Sequence, residues 1–205
     1  LQNQQLIVRS YGGVELARST YIPIFFRTHK MQSEKKLIGK KAAELVEDGD
    51  TIFIDGSTTA QCMEQYLTSK NDLTVITNNI ALAVNLSKNG IKVICLGGEI
   101  VEAPCMLYGA ETVLTAAKYK VDKMFFSTDS VTSDGKIASG LYDLLFRAVA
   151  QNASKVFYLV DHKKIDKRFN TIFCDFSFTT HVISDYQFDD EVQKRYKNTE
   201  FILAK

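Results

Sequence analysis

The chain has 205 residues, of which 45% are hydrophobic and 24% charged, with a formal charge of +1 at neutral pH. That length suits one domain, or at most two, and is enough to bury a substantial core. The near-zero charge argues against nucleic-acid binding by these residues alone, and no apolar run approaches the roughly 20 residues of a membrane span.

The chain opens with "LQNQQ", starting at Leu1 rather than Met and without the basic-then-apolar order of a signal peptide. A piece of a longer cytoplasmic protein is expected. Residues 1–30 are mostly polar, carry "YGG" and a proline, and read as a linker or arm leading into an α/β body over 31–205. In "EKKLIGKKAAELVEDGD", Leu37, Ile38, Ala42, Leu45 and Val46 recur at helical spacing, and Gly49 sits where a helix would stop. "TIFID" (51–55) is a short β-rich run, and 58–68 reads as a helix with Cys62, Met63, Tyr66 and Leu67 on one side.

The alternation continues. "LTVIT" (73–77) is a strand, "NIALAVNLSKNG" a helix closed by Gly90, "IKVICLG" (91–97) a strand and "AETVLTAAKYK" a helix. "VDKMFFST" (121–128) is a strand and 141–152 a helix; "SKVFYLVD" (154–161), "THVISD" (180–185) and "TEFILAK" (199–205) are strands, with a helix at about 188–197. The strands are continuously apolar rather than alternating, which suggests burial on both faces. The expected fold class is therefore α/β, a mostly parallel Rossmann-like sheet with helices on both faces.

Cys62, Cys95, Cys105 and Cys174 lack the close spacing of a metal knuckle or redox pair, so they are expected to be small buried hydrophobes in a reducing compartment. No metal or cofactor is expected.

In a parallel α/β sheet, ligands sit at the carboxyl ends of the strands. Five loops fall there: "DGSTT" (55–59), "TNN" (77–79), "GGEI" (97–100), "STDSVTSDG" (127–135) and "DHKK" (161–164). In the first, Gly56 permits close backbone approach, while Ser57, Thr58 and Thr59 offer hydroxyls and N–H groups at an expected helix start. That pattern suits a phosphate, and it equally suits a plain helix cap. It is neither a G-x-S-x-G elbow nor a Walker loop. In the fourth loop, Asp129 fits either a contact to a sugar hydroxyl or a turn cap. Taken alone, Lys164 is as well explained as a solvated surface lysine.

In order and spacing, "VRSYGGVEL", Arg27, "SEKKLI", "IFIDGSTTA", "VITNNIAL", "CLGGEI", Gly109, "LVDHKK" and "VISD" together resemble the carboxy-terminal effector domain of DeoR-family transcription regulators, over about residues 5–186. The resemblance implies a fold similar to ribose-5-phosphate isomerase and the CoA transferases. It implies a sensor of phosphorylated sugars or related metabolites rather than an enzyme. A winged helix-turn-helix absent from these residues would bind operator DNA, and the regulator would be a homo-oligomer, dimer or tetramer.

By the same resemblance, Asp55, Gly56, Ser57, Thr58 and Thr59 form the first ligand loop. Asn78 offers an amide to a sugar hydroxyl or braces a loop, and Gly97 and Gly98 let backbone line the pocket. Lys164 supplies a cation, and Asp161 orients it or meets a hydroxyl. The chain departs from the family pattern in three places: Lys163 replaces a Ser or Thr, Tyr142 an acid and Phe146 a cation, so that only Arg147 remains charged as expected in that helix. Two alternatives stay open. A sugar-phosphate isomerase would want an acid-rich loop after the fourth strand and a positioned base; a degenerate domain would only assemble subunits.

Overall fold

A computed structural model describes residues 7–10, 13–16, 32–102, 106–140, 142–169 and 171–205. Near the amino terminus, β1 (Ile7–Ser10) and β2 (Gly13–Leu16) pair antiparallel with Ile7 opposite Leu16, so part of the expected arm is a hairpin. Arg27 and the rest of that arm lie outside the described residues.

The body begins with α1 (Gln32–Glu44), β3 (Thr51–Ile54), a 3-10 turn (Ala60–Met63) continued by a single α-turn, α2 (Glu64–Leu67), then β4 (Thr74–Thr77), α3 (Ile80–Lys88) and β5 (Lys92–Cys95). It continues through a hairpin, β6 (Glu99–Glu102) and β7 (Met106–Tyr108), to α4 (Ala110–Ala116), β8 (Val121–Phe126), β9 (Ser130–Val131), β10 (Lys136–Ala138) and α5 (Asp143–Ala150). The last elements are β11 (Ala153–Val160), β12 (Ile172–Asp175), β13 (His181–Ser184), α6 (Asp190–Arg195) and β14 (Glu200–Leu203).

Seven strands make one parallel sheet in the order β14-β13-β11-β8-β3-β4-β5. β9, β10 and β12 form a small antiparallel sheet beside it.

The continuous apolar strands feed two cores because successive side chains point to opposite faces. Along β3, Phe53 enters one core while Ile52 and Ile54 enter the other. Along β11, Val156, Tyr158 and Val160 alternate in the same way with Phe157 and Leu159. α4, α5 and α6 cover the first core through Ala116, Leu145, Phe146, Val149 and Val192. α1, α2 and α3 cover the second through Ile38, Ala42, Leu67, Leu82 and Leu86. Each large apolar side chain so buried contributes roughly 1.5–3 kcal/mol.

Several local expectations are corrected. α1 ends at Glu44, ahead of Gly49, and Leu37 is exposed, because the stripe facing the sheet is Lys35, Ile38, Gly39 and Ala42. Gly39 is required there: a Cβ would stand 2.7 Å from the backbone of Cys62. The helix expected over 58–68 is the 3-10 turn followed by one α-turn. Cys95 is exposed, at the end of the sheet's edge strand, and Cys62 and Cys174 are only half-buried. Cys105 lies outside the described residues. β6, β7, β9, β10 and β12 were not expected; β6 and β9 begin inside the segments "GGEI" and "STDSVTSDG", which read as loops.

Candidate functional site

The parallel sheet brings the loops after β3, β4, β5, β8 and β11 to its carboxyl edge. Ile54 pairs with Thr77 on one side and with Phe125 on the other, so Asp55 emerges between the ends of β4 and β8.

Asp55 is 2% exposed, its N–H donates to the Phe125 carbonyl at 3.0 Å, and its carboxylate accepts from Ser57 Oγ at 2.6 Å. Burial pushes its carboxyl up to about 7, against the opposing pull of the Ser57 hydrogen bonds and of the Lys164 charge. Ser57 Oγ also accepts the Ala60 N–H at 3.2 Å, so Ser57 does the capping. Thr58 and Thr59 are turned to other partners. Lys35 Nζ, from α1, donates to Thr58 Oγ1 at 3.0 Å, and Lys164 Nζ donates to Thr59 Oγ1 at 3.3 Å. The helix that follows is a 3-10 turn and a single α-turn, so its dipole is small.

Lys164 is held from several sides. It lies in a 3-10 turn (His162–Lys164) after β11, and the turn is pinned by Asp185, which accepts the His162 N–H at 2.7 Å, and by a bridge between Val131 and Ile165. Its side chain is 18% exposed; Nζ donates to Ser127 Oγ at 2.8 Å and lies 4.0 Å from the Asp161 carboxylate, which is itself buried. A hydroxyl is a weaker partner for an ammonium than a phosphate oxygen, so these bonds can be exchanged for stronger, charge-assisted ones.

Asn78 is 1% exposed; its Nδ2 donates to the Leu107 carbonyl at 3.0 Å, and its Oδ1 has no hydrogen-bond partner among the described residues. Asn79 caps α3, accepting the Leu82 N–H at 3.0 Å. The β6–β7 hairpin lies over this edge: Met106 bridges to Asn79, and a Cβ on Gly56 would come within 2.5 Å of its methyl. Gly98 has φ +133 and its Cβ position is filled by Thr112 Oγ1 and the Tyr108 carbonyl, so it serves the packing of the hairpin, while a Cβ on Gly97 would meet nothing.

Asp129 is half-buried at the start of a loop in which several hydroxyls bond to other protein groups. There Thr128 Oγ1 meets Tyr158 Oη at 2.7 Å, and Thr132 Oγ1 bonds Asp134. The departures in α5 have packing roles. Phe146 is buried against Phe126, the Tyr142 hydroxyl donates to Met106 Sδ at 3.7 Å, and Arg147 bonds the Phe173 carbonyl at 2.7 Å and stacks over its ring.

Lys35 and Ser127 were absent from the sequence-based site. Lys35 carried a signal: it precedes Ile38, Gly39 and Ala42 by three, four and seven residues and so falls on the buried stripe of α1, where it is 4% exposed. Two surface hollows lie elsewhere, one bordered by Val182, Phe188 and Phe201, the other by Lys155, His181 and Lys197. Among the described residues, no group of three His, Cys, Asp or Glu side chains could hold a metal ion, and no helix is long and apolar enough to cross a membrane.

These features define a parallel α/β domain with lysines and hydroxyls gathered at the carboxyl edge of its sheet. Residues 30–186 match the family described as "DeoR C terminal sensor domain", and the chain belongs to the DeoR family. It is 35% identical to the HTH-type transcriptional repressor GlcR of Bacillus subtilis over 80% of this chain and 65% of that protein. It is 36% identical to the lactose phosphotransferase system repressor of Streptococcus mutans over 98% of this chain and 83% of that protein. It is 30% identical to the glycerol-3-phosphate regulon repressor of Escherichia coli over 82% and 68%. The chain thus spans about two thirds of GlcR. In fold it is similar to eIF2B delta from Chaetomium thermophilum, with a TM-score of 0.57, 19% identity and coverage of 80% of this chain and 60% of that one.

Proposed function

We propose that this sensor domain binds a phosphorylated sugar or a related metabolite at the carboxyl edge of its sheet, and that the bound ligand controls the DNA affinity of the regulator. The observation that carries the reading is the convergence of Lys35 and Lys164, from α1 and from the turn after β11, on the consecutive hydroxyls of Thr58 and Thr59. A phosphate entering there replaces two ammonium–hydroxyl bonds by two ammonium–phosphate bonds. Asp55, Gly56 and Ser57 shape the loop, Asp161 orients Lys164, and Asn78 and Asp129 are assigned to the body of the ligand, beside the turn made by Gly97 and Gly98. The relatives named for a glycerol-3-phosphate regulon and for a lactose phosphotransferase system fit this ligand class.

On this reading residues 31–205 are the sensor, a DNA-reading part precedes them in the intact regulator, and the regulator works as a homo-oligomer. The isomerase alternative has one observation in its favour: a carboxyl held near 7, as in Asp55, is suited to a general base. The relatives, however, are named as repressors. Thermal melting with glucose 6-phosphate, fructose 6-phosphate, galactose 6-phosphate and glycerol 3-phosphate, each beside its unphosphorylated parent, tests the proposal. At least one ester should raise the melting temperature without being converted, and its parent should not; at a hundredfold excess over Kd the gain is about 2.7 kcal/mol. A panel in which no ester stabilises the protein, or in which one is turned over, would refute it.

A further inference from the structure

Asn78 follows β4 directly, beside Asp55 at the end of β3. Its backbone carbonyl accepts the Leu107 N–H at 2.8 Å, and its Nδ2 donates back to the Leu107 carbonyl at 3.0 Å. This pairing fixes which way the amide points. A carbonyl can only accept, so Nδ2 must face Leu107, and Oδ1 is presented on the other side. There it is buried without a hydrogen-bond partner among the described residues. A buried acceptor is destabilising until a donor reaches it. The neighbouring Asp55 carboxyl is also buried, and Lys35 and Lys164 are engaged at Thr58 and Thr59.

We propose that Asn78 selects the body of the ligand: its Oδ1 accepts a hydroxyl of the phosphate ester, so the site takes hydroxyl-bearing monophosphates and rejects compounds that place a second anion there. This rests on the phosphate-ester reading above and sharpens it to a ligand class. Bisphosphates and sugar acids would meet acceptors where they need donors.

The test is calorimetry on the 205-residue chain with glucose 6-phosphate, 6-phosphogluconate, fructose 6-phosphate, fructose 1,6-bisphosphate, glucosamine 6-phosphate and inorganic phosphate. In the wild type the better-bound monoester should exceed its acid or bisphosphate counterpart at least tenfold. Asn78→Ala, which removes the acceptor, should weaken the hydroxyl-bearing monoester at least tenfold and leave inorganic phosphate unchanged. Asn78→Asp keeps an acceptor and adds a charge, and should raise the preference for glucosamine 6-phosphate over glucose 6-phosphate at least tenfold, because a carboxylate favours the ammonium. A misfolded protein cannot produce that reversal. Should Asn78→Asp fail to fold, Asn78→Ala, which removes both the donor to the Leu107 carbonyl and the acceptor, should lose the discrimination against bisphosphate. Equal affinity of the wild type for monoesters and bisphosphates, or an unchanged amine preference in folded Asn78→Asp, overturns the inference and leaves phosphate sensing standing. Absence of binding by every ester overturns both.

Discussion

The two edges of the central sheet handle charge in opposite ways. At the amino edge, Lys123 of β8 meets Asp50, just ahead of β3, at 2.5 Å, both buried; Asp50 also accepts the Glu47 N–H at 2.7 Å, and the Glu47 carboxylate lies 3.6 Å from Lys123. Opposite charges there satisfy one another. At the carboxyl edge, Lys35 donates to Thr58, Lys164 to Ser127 and Thr59, the Asp55 carboxyl is held far above its ordinary value, and Asn78 Oδ1 has no partner among the described residues. Contacts of the first kind hold the fold. Those of the second leave room for a better partner, and local departures from full satisfaction are where function is expected.

The sharpest way to break this contrast is at the amino edge. Lys123→Ala leaves Asp50 buried and unpaired and should cost about 3–5 kcal/mol of stability, measured by urea unfolding. A loss below about 1 kcal/mol would mean that water already screens the pair and that the two edges do not differ.

Asp55→Asn examines the carboxyl edge through pH. The Asp55 carboxyl sits at about 7 in the folded protein against an ordinary 3.8. Between those values the folded chain keeps a proton that the unfolded chain has released, so this group's contribution to stability falls as pH rises from about 4 to 7 and is level above that. The decline is at most about 4 kcal/mol, and nearer 2 if water reaches the group as it ionises. Asp55→Asn should remove it, gaining on the wild type at pH 8 but not at pH 4 in denaturant titrations. Parallel pH profiles for the two proteins would show that Asp55 is ionised without penalty.

Lys164→Ala should weaken binding of the phosphate ester by roughly 1.5–3 kcal/mol, because a hydrogen bond to a charged group is lost. Thr58→Ala should do so by about 1 kcal/mol. Neither change should alter the weak binding of the parent sugar. Thr58→Ala should unfold close to wild type since Ser57 does the capping, whereas Lys164→Ala leaves the buried Asp161 without its cation, so its affinities are read well below its lowered melting temperature. Ester affinities equal to wild type in both folded variants would reduce the "GSTT" loop to structure alone.

Much of the fold was legible because burial on both faces writes a continuous apolar run. "TIFI" and "KVFYLV" are such runs, and a parallel sheet with helices on each face is the arrangement that covers them. The order of loops, from "DGSTT" to "DHKK", was enough for the family. Lys35 was within reach as well, since a lysine on the buried stripe of a helix needs a polar partner somewhere.

Which partner it finds is not a local property. Lys35 meets Thr58 across 23 residues of chain, and Lys164 meets Thr59 across 105, only because α1 and the turn after β11 dock on the same sheet edge. The β6–β7 hairpin and the sheet of β9, β10 and β12 went unread: β6 ("EIVE") and β9 ("SV") sit in segments whose glycines and polar residues read as loops, and their pairing is set by the fold. The positions at which α5 departs from the family pattern have packing partners set by the fold: Phe146 fills the aromatic core and the Tyr142 hydroxyl donates to Met106 Sδ. The proton on Asp55 follows from the depth of its burial, and the direction of the Asn78 amide from the Leu107 carbonyl opposite it. Residue types and their order settle what chemistry is present. Hydrogen bonds and desolvation depend on distances between groups far apart in the chain, and only the folded packing sets those distances.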